Sequence, residues 1–189
     1  MELKDYIKVY DGTVDDNFCR NAIRLFEEST DKVYPIDVAN KIQCSAMNLT
    51  EEAEKNNVTE FITLQNAIVQ PIINAGIQYY TDTQYDKYWP SKNALEQIKM
   101  VRYSAKKGDY FDLHIDIGDL ESARRFMAYH IYLSDVESGG EMEFPLAGVT
   151  ITPKRGRIVM HPSTWQYPSI EHKSTSQDLY KLTTYLHYQ

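Results

Sequence analysis

The segment Phe111-Asp112-Leu113-His114-Ile115-Asp116 sets an imidazole and a carboxylate two residues apart. In extended chain, residues i and i+2 point to the same face, so His114 and Asp116 can reach one cation together. The pair alone is weak evidence, because a histidine beside an acid at a strand end is an ordinary surface feature. A second imidazole has to come from elsewhere, and His161 and His172 compete for the place. Cys19 and Cys44 are the two cysteines of the chain, too few for a disulfide framework or a Cys-rich zinc site.

The elements that must position these residues differ between the two halves of the chain. Asp15 or Asp16 can cap a helix running to about Glu28, with Phe18, Ala22, Leu25 and Phe26 as its apolar stripe. Residues 32–57 read as polar and irregular, broken by Pro35 and Asn56-Asn57. A second helix starts at Thr59, whose hydroxyl can cap it, and buries Phe61, Leu64, Ile68, Ile72 and Ala75; Pro71 is expected to kink or restart it. Tyr79, Tyr80, Tyr85, Tyr88 and Trp89 then suggest an aromatic platform packed on something flat. From Gln97 onward, short β-branched or aromatic runs are separated by breakers such as Lys107-Gly108, Ser138-Gly139-Gly140 and Lys154-Arg155-Gly156. No helical segment intervenes, which points to an antiparallel sandwich or barrel. Along Leu179 to Tyr188, alternation puts Lys181, Thr183, Tyr185 and His187 on one face. It likewise puts Ala128, His130 and Tyr132 together on the preceding long strand.

Composition narrows the partners. With 20 Lys+Arg against 27 Asp+Glu, the 189-residue chain carries a formal charge of −7, which disfavours binding to nucleic-acid phosphates. The 15 tyrosines, against 6 Phe and 2 Trp, suit cavity walls and interfaces where one end of the ring is wet. No apolar core follows the start MELKDYIKVY, and no stretch is long and apolar enough to span a bilayer. The expectation is a cytoplasmic protein without a membrane partner. One domain over 1–189 is expected, with 1–96 as mainly helical support and 97–189 as the β-barrel core.

Downstream of His114-X-Asp116 come Tyr132-Leu-Ser-Asp135-Val-Glu-Ser-Gly139-Gly140-Glu-Met-Glu-Phe144-Pro145, then Pro153-Lys-Arg-Gly156-Arg157, then His172, then Lys181 nine positions on. In this order the features resemble the Fe(II)/2-oxoglutarate-dependent oxygenases, in the prolyl-4-hydroxylase-like branch. The resemblance implies an α+β, mainly β fold, a double-stranded β-helix (jelly-roll barrel) with supporting N-terminal helices. It implies Fe(II) held by His114, Asp116 and His172, and 2-oxoglutarate bound through Lys181 with help from Tyr132, Tyr103 and Thr183. His172 is preferred to His161 because the same spacing counted from His161 ends on Ile170, which cannot bind a carboxylate. His130 and His161 remain candidates for the surroundings of the site.

The activity implied is hydroxylation coupled to decarboxylation of 2-oxoglutarate to succinate, with dioxygen as co-reactant and L-ascorbate as an accessory. Peptidyl proline is the expected substrate. Two alternatives stay open: an oxygenase of the same family acting on a free amino acid or small metabolite, and a noncatalytic jelly-roll module binding a metal or ligand.

Overall fold

Asp15 starts the first helix, α1 (Asp16–Glu28), by accepting the Phe18 N–H on its carboxylate at 2.9 Å. In this computed structural model, which describes residues 2–84 and 86–189, α1 buries Phe18, Ala22, Leu25 and Phe26 as the stripe requires. Tyr85 of the expected aromatic platform lies outside the described residues. α2 (Leu49–Glu54) is short, and α3 (Thr59–Thr83) is long. Val58, not Thr59, occupies the cap position of α3, and no side chain caps it. Nor does Pro71 end the helix. Its missing N–H costs one internal bond, but Leu64 and Ile68 before it and Ile72, Ala75 and Tyr79 after it are buried in one common cluster. Packing on both sides outweighs the lost bond.

The strands, among the described residues, are β1 (Lys8–Tyr10), β2 (Tyr34–Val38), β3 (Ile42–Asn48), β4 (Asn93–Leu95), β5 (Lys99–Tyr103) and β6 (Tyr110–His114). They continue as β7 (Arg125–Tyr132), β8 (Met142–Phe144), β9 (Val149–Ile151), β10 (Ile158–Pro162), β11 (Ser169–Glu171) and β12 (Leu179–Tyr188). All the pairings are antiparallel, in the order β1-β10-β7-β12-β5-β3-β6-β11-β8-β9, with β4 added to β12 and β2 to β3. The sheet curls so that β1-β10-β7-β12-β5 faces β6-β11-β8-β9, and the fold is the double-stranded β-helix.

Residues 32–57 are not the irregular stretch their polarity suggests. β3 pairs through Ser45–Asn48 with β5 and through Ile42 and Gln43 with β6, while β2 covers its other edge. Gln43 and Ser45 disguise the strand in sequence. Its order comes from three partner strands, a tertiary influence that local propensity does not carry.

Alternation divides the apolar residues into two clusters. Tyr129 and Ile131 of β7, Met100 of β5 and Leu182 of β12 pack against Phe26, Phe61 and Ile68 of the helices. The opposite parity, with Cys44, Val101, Tyr103, Tyr132, Val159 and Leu179, fills the interior between the two halves of the sheet. Trp89 fastens the helical layer, lying 5.9 Å from the Tyr79 ring, 5.5 Å from Tyr80 and edge-on to Phe126.

Gly139 controls the approach to β12. It bridges Ser174 with φ +77°, and a Cβ there would stand 2.3 Å from the Lys173 carbonyl oxygen. Replacing Gly139 with Ala is expected to lower the unfolding free energy by roughly 1–3 kcal/mol, measured by urea denaturation. Unchanged stability would mean that the loop re-forms around a side chain.

Candidate functional site

Strand parity selects what enters the space between the facing halves. β12 turns Lys181, Thr183 and Tyr185 inward, β7 turns His130 inward, and β5 contributes Tyr103. β6 ends on His114, and Asp116 follows two residues later in the connecting loop. With Glu171 of β11, these side chains line a cavity of about 180 Å³. His161 of β10 is fully buried beside it. The His161 and His130 rings are stacked within 4° of parallel, and their Nε2 atoms are 3.1 Å apart.

Hydrogen-bond partners assign the tautomers of these imidazoles. The His161 Nδ1–H donates to the Pro162 carbonyl at 2.9 Å, leaving its Nε2 lone pair free. The His114 Nδ1–H donates to the Asp112 carbonyl at 2.9 Å, so its Nε2 is also bare, 3.5 Å from the Ser169 hydroxyl. His130 is the reverse case. Its Nδ1 faces the Lys181 ammonium at 3.5 Å, so Nε2 carries the hydrogen and donates to His161. Burial holds all three imidazoles below their ordinary value of 6.5; for His130 the Lys181 charge adds to the effect.

Asp116 is held from two directions. The Tyr185 hydroxyl donates to Oδ1 at 2.8 Å, and an Arg125 guanidinium N–H donates to the Asp116 carbonyl at 3.0 Å. Arg125 is itself fixed by Glu96, through Nε bonds of 2.9 and 3.1 Å, and lies 4.1 Å from the Tyr185 ring centroid. Oδ2 of Asp116 is thereby left 3.8 Å from His161 Nε2.

The ligand atoms of Asp116, His130 and His161 all lie within 4.8 Å of one another. Two ligands at right angles, each about 2.1 Å from a metal, stand about 3.0 Å apart, which matches the Nε2 separation of 3.1 Å. Two imidazoles and a carboxylate are the donors of an open ferrous site. These residues fit an iron ion that takes the place of the hydrogen between the two Nε2 atoms, with His130 then carrying its hydrogen on Nδ1, beside Lys181.

The residues expected from the sequence are brought together in part. His114, Asp116, Lys181, Tyr103 and Thr183 do line one cavity. His172 is not brought to them. Inward-facing Glu171 forces its neighbour outward, and the His172 side chain is 43% exposed, with Nε2 2.7 Å from a Glu143 carboxylate oxygen. Tyr132 is buried in the wall with its hydroxyl unpartnered among the described residues, and it does not line the cavity. Sequence spacing ranked His161 behind His172 and did not single out Glu171. Carrying the alternation of Val159 to His161 across to β7 would have placed His161 inside, since Val159 and His161 pair with His130 and Ala128.

Lys181 is already partnered. Its ammonium forms an ion pair with the Glu171 carboxylate, and both side chains are almost wholly buried. The Tyr103 ring lies 5.5 Å from Nζ, a further source of attraction for the charge.

Comparison with known proteins agrees with this architecture. Residues 98–187 match the model of the 2OG-Fe(II) oxygenase superfamily. No curated protein sequence matches the chain. Among solved structures, the chain is similar to a viral collagen prolyl hydroxylase from Paramecium bursaria Chlorella virus-1 in complex with 2OG. That likeness has 17% identity and a TM-score of 0.66, and covers 97% of each chain. It is similar to a Pseudomonas putida prolyl-4-hydroxylase (14% identity, TM-score 0.67, 97% of this chain and 93% of that one). It is also similar to a Trichoplax adhaerens prolyl hydroxylase in complex with a hypoxia inducible factor peptide fragment (13% identity, TM-score 0.69, 97% and 84%). At these identities the structural likeness is one of fold.

Two outcomes are expected from the geometry. Between 6.5 and the depressed values of the buried imidazoles, the unfolded chain binds protons that the folded chain refuses. The metal-free protein should thus lose stability as pH falls below 6.5, and urea unfolding at pH 7.5, 6.5 and 5.5 measures it. A flat profile would show that the three rings protonate in place. Removing the Tyr185 hydroxyl (Y185F) should weaken metal binding by about 10–100-fold, read by titration with Mn(II). An unchanged affinity would mean that Arg125 alone orients Asp116.

Proposed function

We propose that this chain, a member of the 2OG-Fe(II) oxygenase superfamily through residues 98–187, hydroxylates its substrate with Fe(II) held by Asp116, His130 and His161 and with 2-oxoglutarate as cosubstrate. One observation carries the reading. Two imidazoles and a carboxylate converge beside a buried cavity that also holds Lys181, Thr183 and Tyr103. When bound, the iron with its cosubstrate and dioxygen supplies the oxidising power, and succinate and carbon dioxide are the expected coproducts.

The protein's own residues do the positioning. Tyr185 and Arg125 orient Asp116, as the partners of a ligating carboxylate must. The Pro162 carbonyl fixes the tautomer that leaves His161 Nε2 available, and the ring of Phe144 packs edge-on against His161 and excludes water from its face. His114 borders the same cavity, with its Nε2 3.5 Å from the Ser169 hydroxyl. For the cosubstrate's far carboxylate, Lys181 supplies the cation and Thr183 a hydroxyl on the same face of β12. A reductant such as L-ascorbate keeps the metal ferrous.

Peptidyl proline is the proposed substrate, supported by the fold shared with prolyl hydroxylases, one of them solved with a peptide fragment. A free amino acid or small metabolite is the alternative within the same chemistry.

Purified protein given Fe(II), 2-oxoglutarate, ascorbate and oxygen should form succinate, and prolyl peptides should gain the mass of one oxygen atom. Absence of succinate with every peptide and metabolite tried would overturn the proposal. The ligand set has its own test in metal content. H130A and H161A should lose stoichiometric Fe(II), whereas H172A should retain it. Loss in H172A with retention in H161A would return the iron to the ligands first expected from the sequence.

A further inference from the structure

Glu171 has no place in the chemistry just described, yet it lines the cavity beside Lys181. It is 1% exposed, Oε1 is engaged by the Lys181 ammonium, and Oε2 has no partner among the described residues. Lys181 is 3% exposed and, besides Glu171, has His130 Nδ1 at 3.5 Å and the Tyr103 ring at 5.5 Å as its partners among the described residues. Lys181 is thus the buried ammonium of the cavity and an internal carboxylate is already bound to it; Lys99, which is exposed, and Arg125, which is engaged by Glu96, are the other cations of the lining.

A dicarboxylate entering this space brings a second carboxylate to the same ammonium. With Glu171 in place, two like charges would share one buried cation, and the cost of an uncompensated buried charge is large. Asp116 adds another negative charge to the same cavity. The far carboxylate of the ligand has to displace Glu171 from Lys181 or share it at a loss. A 2-oxo acid without a far carboxylate meets no such competition.

We propose that Glu171 is a specificity-determining residue, a carboxylate supplied by the chain itself that competes with the far carboxylate of a 2-oxo dicarboxylic acid for Lys181. It lowers the affinity for 2-oxoglutarate and leaves that for monocarboxylic 2-oxo acids unchanged. This rests on the reading of Lys181 as the cosubstrate's anchor.

The test is a pair of anaerobic calorimetric titrations of the Fe(II)-loaded protein, with 2-oxoglutarate and with 2-oxobutyrate. In E171Q, which keeps the shape and removes the charge, 2-oxoglutarate should bind about tenfold more tightly or better, while 2-oxobutyrate should bind as it does to the wild type. E171A should move 2-oxoglutarate in the same direction, so that the result does not depend on one substituted side chain. Adding K181M to E171Q should abolish the gain. Equal or weaker 2-oxoglutarate binding by both Glu171 variants, with K181M weakening the wild type, would overturn the role of Glu171 and leave Lys181 as the anchor. No binding of 2-oxoglutarate to any of these proteins would remove the anchor itself, and the competition with it. A parallel gain for 2-oxobutyrate would show a wider cavity instead of a released cation, and would also overturn the proposal.

Discussion

The two-residue period of a strand is the constraint on which this molecule depends. β12 is hydrogen-bonded to β5 and β7 along its length, so its alternation cannot slip without moving both neighbours. Leu182 is committed to the helical layer, and Lys181 and Thr183 on either side are committed to the interior. The same rule sends Tyr129 and Ile131 of β7 outward to the helices and His130 inward. At β11, buried Glu171 and half-exposed His172 are adjacent residues of opposite fate. Position modulo two, more than residue type, determines which groups share the cavity.

That constraint also explains how so many polar groups tolerate burial. Those of the cavity are paired with a group from another strand or loop: Lys181 with Glu171, Asp116 with Tyr185, His130 with His161. Buried polar groups are stable only when partnered. The Lys181–Glu171 and Tyr185–Asp116 pairings run between the two facing halves of the sheet, so they also fix how those halves are spaced. The apolar cluster under the helices has no such demand. There Pro71 is accommodated inside α3 because burial on both sides of it exceeds one lost hydrogen bond.

Much of this was legible in the chain. The stripe of α1, the strand runs beyond residue 97 and the polar face of β12 follow from periodicity, and each forms where the pattern puts it. The ordered motifs resembled the oxygenase family that residues 98–187 match. Two things were not legible. One is whether residue 171 or 172 faces inward, since spacing along the chain to Lys181 cannot decide parity across an irregular loop. β3 was hidden because Gln43 and Ser45 weaken its pattern, and its order arises from strands distant in sequence. Local signals specify elements; partners fix register.

β3 has a wider significance than its length suggests. In the strand order it is the link between β5 and β6, the strand through which, among the described residues, the ladder passes from one half of the sheet to the other. His130, His161 and Lys181 stand on one side of that link, and His114, Asp116 and Glu171 on the other. The stretch that matches the family begins at residue 98, after β3 has ended at Asn48. That stretch is consequently not an excisable module. Cut free of what precedes it, it would keep every candidate ligand but lose the seam, leaving β5 and β6 with raw edges open to pairing with other chains.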